Sequence, residues 1–137
     1  MAYNLPKDVR LACRSGEFTG QTAGQAPGYA QANLCILPKE YAFDFLLFCQ
    51  RNPKPCPLLH VLEAGTYTLG DIDIRQDLPK YRIYVDGVLT EETTDISKNW
   101  RDDFVTFVIG CSFSFEDAML KSGLKVRHID QNTTVPM

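Results

Sequence analysis

The stretch FVTFVIGCSFSFEDAMLKSG, residues 104–123, decides the fold of this chain. Its first six residues form a largely apolar run without a charge, which predicts a buried strand over 104–109. A tight turn follows, and the remaining residues predict a helix that ends before Gly123. The turn places one thiol and two hydroxyls at the start of that helix: Cys111, Ser112 and Ser114. Free backbone N–H groups and the positive end of a helix suit such a position to an anion or a carboxylate.

Three interpretations of this corner, GCSFSFE at 110–116, stay open. The backbone N–H groups and the serine hydroxyls could hold a carboxylate. Alternatively, Cys111 could be a nucleophile, because a helix N-terminus lowers the pKa of a thiol. The third interpretation is purely structural, with a serine capping the helix. Phe115 stands where a capping box from Ser112 needs a glutamate or glutamine, whereas Ser114 with Asp117 fits a weaker version of that box.

Size and composition exclude several classes of function. A chain of 137 residues, 45% hydrophobic and 23% charged, fits one soluble domain spanning 1–137. A net charge of −3 without a basic tract argues against a nucleic-acid or membrane-surface partner. Five cysteines without a secretory signal predict reduced thiols in the cytoplasm. The cysteine and histidine spacing predicts neither a metal site nor a cofactor.

The other patterns predict an α+β architecture: a mixed sheet with an antiparallel hairpin and flanking helices. Apolar spacing predicts helices over 6–14 and 39–51, and a short helix is expected from Asp95 to Trp100. A hairpin is expected over 81–93, because Asp86 and Gly87 favour a type I′ turn. Three further strands are predicted over 34–37, 58–63 and 125–129.

The segment 15–33, SGEFTGQTAGQAPGYAQAN, is long, irregular and rich in glycine. A loop of this length inside a compact domain is usually functional or disordered. Its polar side chains suit a neutral or zwitterionic small ligand, although an ordered surface loop is an equal alternative. The candidates for ligand binding in this segment are Thr22, Gln31 and Asn33.

A second set of candidates carries charge. Arg14 and Arg127 could grip a carboxylate, whereas Arg75, which stands between Asp73 and Asp77, is expected to form an internal ion pair. Two residues are candidates for a general base. His128 could serve as a base near neutral pH, and Glu17 would serve only if burial raised its pKa.

Several long strings make the chain resemble the D-glutamate cyclase family of hydro-lyases. They are RSGEFTGQTAGQAPGYAQANLCILP, YAFDFLLFCQRNPKPCPLL, DIRQDLPKYRIYVDG, VTFVIGCSFSFEDAMLKSG, RHID and NTTVPM. The resemblance implies removal of water from a small carboxylic or amino acid, such as the cyclisation of D-glutamate to 5-oxo-D-proline. In that chemistry Ser112, Ser114 and an arginine would hold and polarise the substrate, and Glu17 or His128 would take the proton.

Family members continue beyond the VPM string, so the resemblance also implies that this chain corresponds to the N-terminal half of a larger fold. Two alternatives to an enzyme follow, namely a catalytically inactive remnant and a module that binds an acidic metabolite. Apolar surface left uncovered by the other half would favour self-association into a homo-oligomer.

Overall fold

The computed structural model describes residues 2–133, so Thr134–Met137, the end of the NTTVPM string, lie outside the described residues. Within residues 2–133, four helices and seven strands follow one another. Their bounds are α1 Pro6–Arg14, β1 Ala32–Pro38, α2 Lys39–Arg51, β2 Leu58–Leu62, β3 Thr68–Leu69, β4 Ile72–Asp73, β5 Tyr81–Val85, β6 Val88–Thr93, β7 Phe104–Gly110, α3 Phe113–Lys121 and α4 Arg127–Asp130.

A three-stranded antiparallel sheet in the order β1-β7-β2 forms the centre of the molecule. β7 is the middle strand because it is apolar on both sides, and its residues 105–108 are buried. Phe107 lies opposite Cys35 of β1 and Val61 of β2, so these three side chains share one face of the sheet.

Helix α2 covers that face. It begins directly after Pro38, which closes β1. The Phe45 ring meets the Phe107 ring edge-on with centroids 4.8 Å apart, and Cys49 is 2% exposed. This edge-to-face contact and the burial of Cys49 anchor the helix to the middle of the sheet.

Helix α1 packs against the glycine-rich segment. Val9, Cys13 and Ala26 form a buried cluster, against which Tyr3 and Phe18 pack edge to face with ring centroids 6.0 Å apart. The backbone N–H of Ala26 also donates to the Tyr3 carbonyl oxygen at 2.8 Å. The segment is therefore held as an ordered loop.

Two small hairpins complete the fold. β3 pairs with β4, and β5 pairs with β6 around Asp86 and Gly87, whose φ angles of 50° and 78° are those of a type I′ turn. Tyr81 fixes the base of the second hairpin, because its buried hydroxyl donates to the Ile74 carbonyl oxygen at 2.8 Å.

The α+β class is confirmed, as are the helices over 6–14 and 39–51, the 81–93 hairpin and the strand-turn-helix of 104–123. The expected mixed sheet is wrong in one respect: within residues 2–133 every strand pairing is antiparallel. None of the helices between residues 2 and 133 is long and apolar enough to cross a bilayer.

Two of the predicted elements are also wrong. Residues 97–99 form a turn and no helix, because the Asp95 carboxylate accepts a hydrogen bond from the Ser97 N–H at 2.7 Å and closes a local turn. The predicted strand 125–129 is replaced by the short helix α4, with Val126 buried just before it. Tertiary packing of Val126 and His128 overrides the local β preference there.

Candidate functional site

The corner joins β7 to α3 as the sequence predicts. Ser112 is the N-cap residue of α3, and its side chain is exposed. Among the described residues its hydroxyl makes no capping hydrogen bond, so the capping interpretation fails for Ser112. The hydroxyl therefore stays available to a ligand beside the helix N-terminus.

Ser114 has a different role from both predictions made for it. Its hydroxyl accepts a hydrogen bond from the Gln31 backbone N–H at 2.7 Å and donates to the Gln31 carbonyl oxygen at 3.2 Å. It lies inside α3 rather than at the cap, so the weaker capping box with Asp117 does not form. Ser114 instead fastens the glycine-rich loop to the first turn of α3.

Two of the candidate loop residues meet at the same place. The Thr22 hydroxyl donates to Oε1 of Gln31 at 2.6 Å, and the Gln31 side-chain amide donates to the Gln25 carbonyl oxygen at 3.3 Å. Thr22, Gln31 and Ser114 thus lie in one hydrogen-bond network. Their polar atoms largely satisfy one another, which fits a structural role for this network.

The sequence analysis missed the most unusual contact of the region. Glu116, in the first half of α3, is 5% exposed, and its Oε1 lies 2.8 Å from Nε2 of His128 on α4. The distance is that of an ion pair, but the two groups are not aligned for an N–H···O hydrogen bond, and Nε2 is buried. The exposed part of the His128 side chain, 19%, therefore lies on its other atoms.

The sequence offers only a weak signal for Glu116. The RHID string provides a histidine shortly after the helix that carries Glu116, and a carboxylate that becomes buried needs such a partner. Ser112 and Glu116 are four residues apart, about one helical turn, so they follow each other along one side of α3. The free hydroxyl and the buried acid are consequently neighbours along that side.

Arg14 is committed to a carboxylate of the protein itself. Its Nε donates to Asp77 Oδ1 at 2.6 Å and its Nη2 to Asp77 Oδ2 at 2.8 Å, and the Asp77 side chain is only 1% exposed. This bidentate contact raises the pKa of Arg14, mainly through the hydrogen bonds to Asp77 and to a lesser extent through the charge of Asp77. Arg14 is therefore placed to support structure.

The remaining candidates lie apart from this network or at its edge. Glu17 is exposed and accepts a hydrogen bond from the Tyr3 hydroxyl at 3.3 Å, so the burial that its base role required is not found. Asn33 is exposed on β1 opposite Ile109, and Arg127 is exposed next to His128. Cys111 is half-buried in the turn between β7 and α3.

All five cysteines lie within the described residues and are free thiols. Burial, reinforced by the nearby charge of Asp77, raises the pKa of the Cys13 thiol to about 11. Burial also raises the pKa values of Cys35 and Cys49. Because the thiolate is the reactive form, these three cysteines are poor nucleophiles.

A cavity of about 340 Å³ lies between the end of α2 and the start of β2, near Gly110, whose N–H donates to the Pro57 carbonyl oxygen at 2.9 Å. Its lining residues are Cys49, Gln50, Pro53, Cys56, Pro57 and Leu58. Within residues 2–133, no three histidine, cysteine or acidic side chains are grouped to hold a metal ion.

The chain matches known proteins along nearly its whole length. The family model described as D-glutamate cyclase matches residues 105–137, which contain the corner, Glu116 and His128. The chain is 60% identical over 136 residues to the Bacillus subtilis (strain 168) protein named "Putative hydro-lyase YcsI", a match that covers 96% of the chain and 53% of that protein.

Other relatives show similar identity and similar coverage. The chain is 57% identical to a "Putative hydro-lyase" of Clostridium beijerinckii, with 96% of the chain and 52% of the relative covered. It is 59% identical to the protein named "Putative hydro-lyase Bpet2233" of Bordetella petrii, with 94% of the chain and 50% of the relative covered. The chain spans about half the length of these curated relatives. The predicted resemblance is confirmed: the chain is similar to the D-glutamate cyclase family model over 105–137 and to these relatives over nearly its whole length.

Proposed function

We propose that the chain carries the proton-transfer part of a hydro-lyase site that removes water from a small carboxylic or amino acid. The observation that carries this proposal is the contact of the buried Glu116 carboxylate with Nε2 of His128, 2.8 Å apart. Relatives about 60% identical to this chain are named as hydro-lyases, which supports the reaction class.

In this proposal His128 is the general base and Glu116 is its positioning residue. The Nδ1 lone pair of His128 would take the proton from the substrate, with Nε2 held on the side of the Glu116 carboxylate. The same carboxylate stabilises the imidazolium that forms. Because Glu116 is almost fully buried, its carboxylate is held in place beside the ring.

The substrate carboxylate would bind at the start of α3. Ser112 offers an exposed hydroxyl beside the positive end of α3, and Arg127 lies next to His128 on α4. These groups favour a negative charge where the base can reach the adjoining atoms. Cys111, in the same turn, is the alternative nucleophile.

The finer proposal for the substrate is D-glutamate. The ammonium group loses a proton to His128, and the freed amine attacks the γ-carboxyl carbon, so that a C–N bond forms. The C–O bond to one γ-oxygen then breaks, and that oxygen leaves as water with protons returned by the imidazolium and the amine. The products are 5-oxo-D-proline and water, and no oxidant or reductant is consumed.

We further propose that 1–137 corresponds to the N-terminal half of the family fold and works in the cytoplasm. The chain covers about half of its relatives, so the site would be completed by the segment that they contain in addition.

The test is to incubate D-glutamate with the chain alone, and with the chain joined to the unmatched part of the Bacillus subtilis relative, and to measure 5-oxoproline. Turnover by either protein would support the proposal, and L-glutamate serves as the control for stereochemistry. Saturable binding of D-glutamate without turnover by either protein would instead favour a binding module. Absence of both binding and turnover would exclude D-glutamate as the substrate.

A further inference from the structure

Helix α2 carries apolar side chains well beyond the face that contacts the sheet. Phe45 and Cys49 point toward the sheet, yet Phe43 is 68% exposed, Tyr41 is 55% exposed and Phe48 is 50% exposed. Leu46 is 36% exposed. We call Tyr41, Phe43, Leu46 and Phe48 the α2 flanks.

The flanks lie on both sides of the buried stripe. At 100° per residue, Tyr41 and Phe48 fall within about 20° of each other on one side, and Phe43 and Leu46 fall about 60° apart on the other. Glu40, Asp44 and Arg51 occupy the remaining arc, and Lys39 and Gln50 fall between Leu46 and Phe43. A surface helix normally carries one apolar stripe, whereas a helix that is apolar over most of its circumference is typically covered on several sides.

The sheet beneath α2 is too narrow to cover these flanks. Three strands about 4.8 Å apart span roughly 10 Å, which is about the diameter of one helix. β1 and β2 are the outer strands, and within residues 2–133 each of them pairs only with β7. The outer edges of the sheet therefore offer free backbone N–H and C=O groups next to the apolar flanks.

We infer that the α2 flanks and the adjoining sheet edge form a docking surface for a polypeptide equivalent to the unmatched half of the relatives. The relatives share this sequence at about 60% identity in proteins nearly twice as long, so a segment of comparable size accompanies α2 in them. That segment places apolar side chains against both flanks and adds a strand to the open edge. The inference is independent of the proposed reaction.

The first experiment compares amide hydrogen exchange of α2 in this chain and in the full-length Bacillus subtilis relative. We expect α2 exchange to be slower in the relative by about tenfold or more, because a covered helix opens less often. The peptide containing the β5–β6 hairpin is the internal reference for a difference in global stability. Equal protection of α2 in both proteins, after that correction, would overturn the inference.

The second experiment asks whether a second copy of the chain is the occupant instead. Sedimentation velocity is measured at rising concentration for the chain and for Phe43→Glu, with Val88→Glu at the 63% exposed hairpin tip as the matched control. If the chain self-associates, and Phe43→Glu removes this association whereas Val88→Glu preserves it, the α2 flanks are supported as the associating surface. A tight dimer lost in Phe43→Glu, together with an unprotected α2 in the relative, would assign the flanks to a second copy and overturn the inference.

Discussion

At the scale of single residues, the sequence located the corner correctly but assigned some of its side chains to the wrong task. Ser114 was predicted to bind a ligand or cap a helix, and it instead bonds to both backbone groups of Gln31, 83 residues away. Glu116 was overlooked because its only unusual property is burial against His128. Both facts depend on contacts between distant segments, which periodicity and spacing do not report.

Replacement of Ser114 tests the loop fastening. We expect Ser114→Ala to lower the free energy of unfolding by about 1 kcal/mol, because the half-buried Gln31 N–H loses its partner. The matched control is Ser112→Ala, whose hydroxyl is exposed and caps nothing, with an expected change within about 0.5 kcal/mol. Urea unfolding measures both, and equal losses in the two variants would contradict the assignment.

The Asp73–Arg75 pair predicts a dependence of stability on pH. Two hydrogen bonds from the Arg75 guanidinium, at 2.9 and 2.7 Å, hold the pKa of Asp73 below its ordinary value of 3.8. A carboxylate with a lowered pKa in the folded state stabilises the fold above its unfolded pKa and loses that contribution as the pH falls through the folded value. The expected internal ion pair of Arg75 is thus confirmed.

The measurement compares the wild-type chain with Asp73→Asn in urea at about pH 6 and about pH 3. At the higher pH we expect the wild-type protein to be more stable than Asp73→Asn. The difference in unfolding free energy between the two proteins should shrink at the lower pH, as Asp73 becomes protonated. A difference that is constant or larger at the lower pH would contradict the direction given for the pKa of Asp73.

At the scale of elements, the sequence predicted those whose signals are local. Pro6 begins α1, Pro38 separates β1 from α2, and Asp86-Gly87 makes the type I′ turn. The C-terminus of α3 also follows from sequence, since Gly123 adopts a φ of 83° and ends the helix. Strand order and direction could not be predicted, because they depend on pairing between β1, β2 and β7 across the chain.

The short helix α4 shows why one element was assigned to the wrong class. Val126 and Ile129 favour a strand locally, but four residues are too few for intrinsic preference to decide. Burial of Val126 and the contact of His128 with Glu116 hold the segment against α3 instead. The wrong strand prediction for 125–129 and the failure to predict Glu116 therefore have one cause, which is the packing of α4 against α3.

Gly65 tests the packing of the turn after β2. Its φ is +80°, and a Cβ atom there would lie 2.8 Å from the Asp102 carbonyl oxygen. We expect Gly65→Ala to lower the free energy of unfolding by about 1–2 kcal/mol from the positive φ, with a further loss from the backbone clash. Gly70→Ala is the control, because Gly70 has a φ of +61° and open space around it.

Unfolding in urea separates the two effects in this pair. The amount by which the loss of unfolding free energy in Gly65→Ala exceeds that in Gly70→Ala measures the cost of the close approach of the turn to Asp102. Equal losses in the two variants would mean that only the backbone conformation matters and that this approach relaxes freely.

At the scale of the whole molecule, the resemblance to the D-glutamate cyclase family could be recognised from sequence because the shared strings are long and distinctive, whereas the site could be predicted only in part. Thr22, Gln31 and Ser114 do meet, yet Arg14 is paired with Asp77 and Glu17 is exposed. The distinction between a ligand-binding polar group and one satisfied within the protein depends on three-dimensional partners. The chain has about half the length of its relatives, so its exposed apolar flanks and its candidate site both point to the same additional segment.

The central claim is that Glu116 positions His128 as the base, and the most direct test is the turnover number of Glu116→Gln in whichever form of the protein converts D-glutamate. We predict a loss of kcat of roughly tenfold or more with little change in KM, a larger loss in His128→Gln, and partial recovery in Glu116→Asp. Asp117→Asn, at the neighbouring carboxylate that pairs with Lys121, should leave kcat unchanged. A Glu116→Gln protein with the kcat of Asp117→Asn would contradict the account.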